Sequence, residues 1–323
     1  MDASTWFTTP VIGDMAPTQA IIKLREIGEF ELAEKLERAE LNPVRSGESG
    51  KWWWPFSKQH PWASTSHAFG YIHPIPKNDP QPILALESVD PDHSLQHARI
   101  KITLNQLRAA HYPGRGIHHI LLHTNAQNQI ADRIEPLHFS ATYRVQEGER
   151  VGIHGYPIFI GLNVGPEGIV LKCRTINVLN ERDEALLRFM ESDTFKAGLQ
   201  ILTTAQPALA LCSETLLGLA RAIESRNRNV AVQDIELGLG FRPFPMSGCL
   251  AEGIYLAVQI PENSQVAWEW DEWIYLPAKG KIVKRTDHNQ LIPYNYLAFG
   301  ISRYEAERQG TSSRSHIVVH GGI

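Results

Sequence analysis

Hydrophobic positions change their period along this chain, and the changes separate helical parts from extended parts. Between residues 17 and 40, apolar side chains recur at helical spacing on both sides of Gly28, which predicts two short helices joined at that glycine. From residue 117 to 304 the period is mostly two, as expected for strands with a buried face. Residues 165–168, Gly-Pro-Glu-Gly, separate two β-branched runs and predict a hairpin.

The runs of period two predict short strands with turn residues between them. They cover residues 117–124, 138–145, 156–164, 169–178, 230–239, 253–260, 266–276, 281–285 and 293–304. Strands of this length and spacing are typical of an antiparallel β-sandwich. A helical period returns at about 181–227. We therefore predict a mainly β fold (α+β), in which an antiparallel β-sandwich carries a helical insertion and a small N-terminal helical appendage.

Shifts in composition predict four parts of the chain. Residues 1–50 form a helical hairpin and a linker, and residues 51–82 form a connecting segment rich in tryptophan and proline. Residues 83–305 form the β-sandwich domain with its insertion, and residues 306–323 form a C-terminal tail.

Composition and charge exclude several classes of protein. Hydrophobic residues make up 43% and charged residues 20% of the 323 positions, which is typical of a folded chain. A formal net charge of −4 gives no long-range attraction for phosphate backbones, so we expect no nucleic acid partner. No apolar run approaches the ~20 residues of a membrane span. The start lacks a signal-peptide pattern and the three cysteines are widely spaced, so we predict a cytoplasmic protein.

Aromatic residues are concentrated in the segment that precedes the strands. The aromatic cluster consists of Trp52, Trp53, Trp54, Phe56 and Trp62, with Lys51 and Lys58 beside the rings. So much aromatic surface must be covered by its own domain, by a partner protein or by a membrane interface. Self-burial would clamp the helical hairpin onto the sandwich. Docking onto a partner is the functional alternative, because tryptophan dominates interface hot spots. Membrane insertion is the third alternative.

Polar residues with possible chemistry lie around the start of the strand predicted at 117–124. Arg115 lies between two glycines, an arrangement that suits a carboxylate or phosphate ligand. His119, His123 and Asn125 follow it. On a strand the two histidines share a face but stand about 13 Å apart, too far to ligate one ion. We therefore predict no metal site, with structural histidines as the simpler interpretation. On a helix the same two histidines would be adjacent.

Phosphate-loop, dinucleotide-binding and nucleophile-elbow motifs are missing from the sequence, so we expect no cofactor. The leading hypothesis is a cytosolic, non-enzymatic interaction or regulatory protein. Its β-sandwich scaffold docks a protein partner or another copy through the tryptophan-rich segment. One alternative is a hydrolase or metal-dependent enzyme centred on Arg115, His119 and His123. Another is a membrane-active effector that uses the aromatic segment in peripheral membrane contact.

Overall fold

The architecture is known from a computed structural model, which describes a large part of the chain. The described residues are 6–41, 60–74, 80–114, 116–130, 133–151, 153, 155–180, 183, 187–188, 209–242, 248–261 and 268–305. The predicted C-terminal tail, residues 306–323, lies outside them.

Within the described ranges the chain forms three α-helices and sixteen strands. The helices are α1 (Pro17–Glu26), α2 (Phe30–Leu41) and α3 (Leu209–Glu224). The strands are β1 (His67–Ile72), β2 (Gln81–Pro82), β3 (Leu84–Ala85), β4 (Arg99–Arg108), β5 (Ile117–Ile130), β6 (Arg133–Gln146), β7 (Arg150–Val151), β8 (Tyr156–Asn163), β9 (Ile169–Asn177), β10 (Val230–Gly240), β11 (Gly248–Cys249), β12 (Gly253–Gln259), β13 (Trp273–Leu276), β14 (Lys281–Lys284), β15 (Asp287–Leu291) and β16 (Tyr296–Arg303). None of the helices in the described ranges is long and apolar enough to cross a membrane.

The strands assemble into three sheets. The first has the order β3-β1-β12-β16-β4-β7, with β8 also paired to β4. The second has the order β11-β10-β9-β5-β6, and the third has the order β15-β14-β13-β2. Neighbouring strands of the described sheets run antiparallel, apart from the parallel pair β10 and β11. The predicted mainly β, antiparallel fold with a helical insertion is confirmed, and α3 is the described helix of that insertion.

The main core lies between the first and second sheets, as in a sandwich. Ile100, Ile102 and Leu104 alternate along β4, and Ile120 and Leu122 alternate along β5. All five side chains are buried, and alternate positions on a strand point to the same face. Burying an aliphatic side chain of this size contributes about 1.5–3 kcal/mol, so this layer is a major source of stability.

Two further layers cover the outer faces of the sandwich. The third sheet packs on the first sheet through Trp270 and Trp273. Helix α3 packs on the second sheet, where Leu217 and Ile223 meet Leu121. The second sheet is therefore covered on both faces, which is why β5 is buried along most of its length instead of at alternate positions.

The N-terminal helical hairpin docks on the main core. Pro17 occupies the first position of α1, where its missing N–H costs nothing. Gly28 adopts a φ of +86°, which allows the chain to reverse between α1 and α2. Leu24 and Leu36 then bury themselves in the same cluster as Trp62. The two helices joined at Gly28 are thus confirmed.

Strands β1 and β4 are the longest of the described strands that lie outside the segments that the sequence pattern identified. Strand β1 belongs to the first sheet, between β3 and β12, although it precedes the domain boundary predicted near Pro82. The prolines within residues 74–82 interrupt the period of two, so the short strand before them was not recognised as part of the domain. Strand β4 pairs with β16 on one side and with the edge strands β7 and β8 on the other, so it is the second strand from that edge of the first sheet.

The strand predicted over residues 266–276 is corrected by the structure. Within the described residues 268–276 the strand is confined to Trp273–Leu276, and a single 3₁₀ turn at Trp270–Glu272 precedes it. The alternation of tryptophans and acids imitates a strand, but the indole of Trp268 stacks on that of Trp273 at 5.8 Å. The 3₁₀ turn between these two residues brings their indoles together.

Candidate functional site

The densest polar cluster lies on the outer face of the second sheet, beneath α3. Ser140, His123, Arg174 and Asp234 are direct neighbours across the four strands β6, β5, β9 and β10. Residues that face each other across antiparallel strands project to the same side. These four side chains therefore form one continuous row, which we call the polar row.

Arg174 is the centre of a buried ion network in this row. Its side chain is 1% exposed, and it contacts Glu224 of α3 and Asp234 of β10, each at 2.7 Å. Burial raises the pKa of Glu224 to about 7, and the positive charge of Arg174 opposes this shift. Burial likewise raises the pKa of Asp234, again against the effect of Arg174. A buried guanidinium that bridges two elements in this way holds α3 to the sheet.

Residues 6–9, which we call the N-terminal strap, cross over the polar row. The indole N–H of Trp6 donates to Asp234 at 3.2 Å, and Arg221 of α3 donates to the carbonyl of Trp6. Arg174 donates to the carbonyl of Thr9. The ring of Phe7 stacks on the guanidinium of Arg174, 4.8 Å from its centre. The strap, the sheet and α3 are therefore linked by one set of contacts.

A chain of hydrogen bonds runs along β5 and β6 beside the ion network. His123 Nδ1 lies 2.7 Å from Ser140 Oγ, and His123 Nε2 lies 3.0 Å from His138 Nδ1. The amide nitrogen of Asn125 is 3.3 Å from His138 Nε2 and donates to the carbonyl of Leu137. Burial lowers the pKa of His138 to about 4 and holds that of His123 well below its usual value, so both rings are neutral at pH 7.

The direction of this chain follows from its two ends. An amide nitrogen can only donate, so His138 accepts from Asn125 at Nε2 and carries its proton on Nδ1. That proton points to His123 Nε2, which leaves the proton of His123 on Nδ1, facing Ser140. His123 therefore donates to Ser140 Oγ and does not accept its proton. This tautomer is the opposite of what a general base needs to activate a serine.

The residues predicted around residue 119 are only partly brought together. His123 and Asn125 are connected through His138, as described above. His119 lies on the same face of β5 but four residues away, opposite Arg144, so it stands about 13 Å from His123 along the strand. Arg115 lies outside the described residues. Among the described residues, no group of three or more histidine, cysteine or acidic side chains is arranged to hold a metal ion.

The predicted aromatic cluster is represented by one described residue. Trp62 is 3% exposed and lies in the main core with the residues of the helical hairpin. Its carbonyl accepts a hydrogen bond from Gln259 at 3.3 Å. Its ring is thus covered by the protein itself and presents no free surface to a partner. Trp52, Trp53, Trp54 and Phe56 lie outside the described residues.

Sequence reasoning missed most of the polar row. Arg174 follows Lys172 and Cys173 in a strand whose alternation gives no sign that a charge is buried. Its partner Asp234 is 60 residues away. Such a pair becomes visible only when the register of β9 against β10 is known. No signal in the sequence itself marks Arg174, because the sheet face that it shares with His123 is defined only by the pairing of β9 with β5.

The fold and this site define a mainly antiparallel β protein in which a helix and an N-terminal strap are fixed to one sheet by buried ion pairs. No protein-family model, no curated protein and no solved structure matches the chain.

Proposed function

We propose that this protein is an interaction or regulatory protein, whose β-sandwich body is a scaffold for docking a protein partner or another copy. The docking surface in this proposal is the tryptophan-rich segment between α2 and Trp62. Tryptophan side chains contribute large, rigid contact areas and are enriched among the residues that dominate binding energy.

The observation that supports this proposal is that both flanks of the segment are anchored on the body. On one side, Leu36 of α2 is buried in the main core. On the other side Trp62 is buried, Ser64 donates to the carbonyl of Ile260, and Gln259 donates to the carbonyls of Trp62 and Ser64. A partner that binds the intervening tryptophans would therefore be connected directly to the folded scaffold.

The enzyme alternative has less support from the polar row. The hydrogen bond between His123 and Ser140 has the wrong proton direction for activating the serine. The ring of His123 is also fully buried, and Phe7 and Trp6 lie 5.3 and 5.7 Å from it. A substrate would have to displace the strap to reach Ser140. The contacts of these residues are those of a structural clamp.

The proposal includes a cytoplasmic location. Cys173 and Cys249 are both free thiols in buried positions. Unpaired cysteines are usual in proteins of a reducing compartment.

A triple variant carrying Trp52→Ala, Trp53→Ala and Trp54→Ala tests the proposal. We expect it to unfold at the same temperature as the unmodified chain but to lose about 30-fold or more in affinity for its partner or for itself. Self-association is measured by sedimentation velocity over a range of concentrations, and partner binding is measured by titrating a partner identified with the unmodified chain. Phe30→Ala is the matched control, since Phe30 is an exposed aromatic residue of α2.

The proposal would be rejected if the triple variant associated as strongly as the unmodified chain. It would also be rejected if Phe30→Ala weakened association to the same extent, or if the unmodified chain neither self-associated nor retained a partner.

A further inference from the structure

A cavity of about 160 Å³ lies between the first and third sheets, on the opposite side of the first sheet from the main core. Asn105 and Gln106 of β4 and Arg150 of β7 line one side of it. Tyr275 of β13 and Gly280 line the other side. Its size allows several water molecules or one small ion with its oxygen atoms.

Arg150 supplies the charge of this cavity. Its two terminal nitrogens donate to the backbone carbonyls of Lys279 and Gly280. A guanidinium carries five N–H groups, so these two bonds leave further donors for another acceptor. Carbonyl oxygens supply a dipole but no formal negative charge, and the charge of Arg150 is therefore not neutralised by these partners.

A second arginine adds to the same excess of positive charge. Arg108 is 8% exposed, and it donates to the carbonyl of Ile292 at 2.9 Å and to that of Gly148 at 2.7 Å. Burial lowers the pKa of Arg108, and the nearby charge of Arg150 adds to this effect. Two guanidinium groups thus influence each other beside the cavity.

No carboxylate balances this charge in the described part of the chain. The ion pairs formed there include neither Arg108 nor Arg150. The groups that interact electrostatically with the nearby Tyr275 and Tyr296 include these arginines and no acid. Buried or partly buried charges are normally paired, because an uncompensated charge in a medium of low dielectric is costly.

We infer that this cavity is a binding site for a small oxyanion, either a phosphate or a carboxylate group, held by Arg150. Arginine suits both groups because its planar fork can donate two parallel hydrogen bonds. Asn105 accepts from Thr103 at Oδ1, at 2.7 Å, and so has its amide nitrogen available as a second donor. The phenol of Tyr275 supplies a third. The bound anion provides the negative charge that the surrounding side chains lack.

Isothermal titration of the full chain with inorganic phosphate, and separately with acetate, tests this inference. Ionic strength is held constant with chloride, so that nonspecific screening stays the same. We expect saturable binding of at least one anion at one site per chain. Arg150→Gln weakens this binding by about tenfold or more, because a charged hydrogen-bond donor is lost. Arg285→Gln is the matched control, since Arg285 of the same region also donates to a carbonyl, that of Asp271, but lies exposed.

The two probes identify the chemistry of the ligand. Binding of phosphate alone assigns a phosphate group, and binding of acetate alone assigns a carboxylate. The inference is wrong if neither anion binds saturably, or if Arg150→Gln binds as tightly as the unmodified chain.

Asn105→Asp provides an independent variant in case Arg150→Gln does not fold. This change keeps the size of the side chain and places a carboxylate in the cavity itself. We expect the variant to fold, to unfold at a higher temperature in chloride than the unmodified chain, and to lose its response to the anion. Unchanged anion binding by Asn105→Asp would overturn the inference.

Discussion

Individual residues of the polar row derive their properties from burial. His138 and His123 are neutral because the sheet, α3 and the strap exclude water from them. The proton direction along Asn125, His138, His123 and Ser140 is fixed because Asn125 can only donate at its amide nitrogen. At this scale the chain from Asn125 to Ser140 has its donors and acceptors paired, whereas Arg174 of the polar row keeps a buried Nε without a hydrogen-bond partner.

A pH dependence of stability follows from His138. Between pH about 6.5 and about 4 the unfolded chain binds a proton at this position and the folded chain does not, so stability falls as the pH falls through this window. We expect His138→Asn to remove about 1–2 kcal/mol of this loss, as measured by urea unfolding at each pH. His288→Asn, at an exposed position of β15, is the control.

The pH dependence that Glu224 contributes to stability has the opposite sign to that of His138, so the two contributions must be separated. Its folded pKa of about 7 lies above its usual value, so its burial costs stability as the pH rises from about 4.5 to about 7. The histidine contribution is therefore the difference between the unmodified chain and His138→Asn at the same pH. An identical pH profile for the two proteins would contradict the assigned neutral state of His138.

At the scale of elements, Arg174 connects three parts of the structure. It belongs to β9, contacts Glu224 at the end of α3, and donates to Thr9 in the strap. Apolar contacts among Phe7, Leu217 and Ile223 surround this network. The helix therefore has both an apolar face and one ionic attachment that fixes its position on the sheet.

Arg174→Met should destabilise the protein strongly. The change leaves the carboxylates of Glu224 and Asp234 without their buried partner, and we expect a loss of about 3–5 kcal/mol in the free energy of unfolding. Adding Glu224→Leu should restore part of the loss. Lys172→Met is the matched control, because Lys172 pairs with the exposed Glu236 in the neighbouring row and is worth at most about 1 kcal/mol. Equal losses of unfolding free energy for Arg174→Met and Lys172→Met would refute the claim that Arg174 holds α3 and the strap on the second sheet.

For the whole molecule, the helical hairpin and the strands share one core. Leu24 and Leu36 lie in the same apolar cluster as Trp62 and the strands of the sandwich. Strand β1 follows Trp62 closely and pairs with β12. Removing the first 72 residues would therefore remove a strand from the first sheet together with the helices, and is not a neutral truncation.

Trp62→Ala should lower the stability of the entire protein. Because the indole connects the hairpin to the sandwich, we expect the free energy of unfolding to fall by about 3–5 kcal/mol while unfolding remains a single cooperative transition. Urea unfolding monitored by circular dichroism measures both. Phe30→Ala, which truncates an exposed aromatic residue of α2, should change stability by about 0.5 kcal/mol or less. Separate melting of the hairpin before the sheets would show that the two parts do not share a core.

The parts of the fold that depend on local pattern could be predicted from the sequence. Periods of 3.6 and two gave α1, α2 and most strands, and Gly28 gave the turn between the helices. Strand β4 carries a period-two pattern at Ile100, Ile102 and Leu104, so its signal was present in the sequence. The polar row could not be predicted, because it depends on the register of four strands and on a helix far away in sequence.

The single-residue spacing of Cys173 and Arg174 on β9 has a consequence for folding. The thiol faces the main core and the guanidinium faces α3, so these neighbours occupy chemically opposite environments. If β9 slipped by one position against β5, the charge of Arg174 would face the main core, away from Glu224 and Asp234. Burying this unpaired charge is costly, so Arg174 favours the observed register of β9 over one shifted by a single residue.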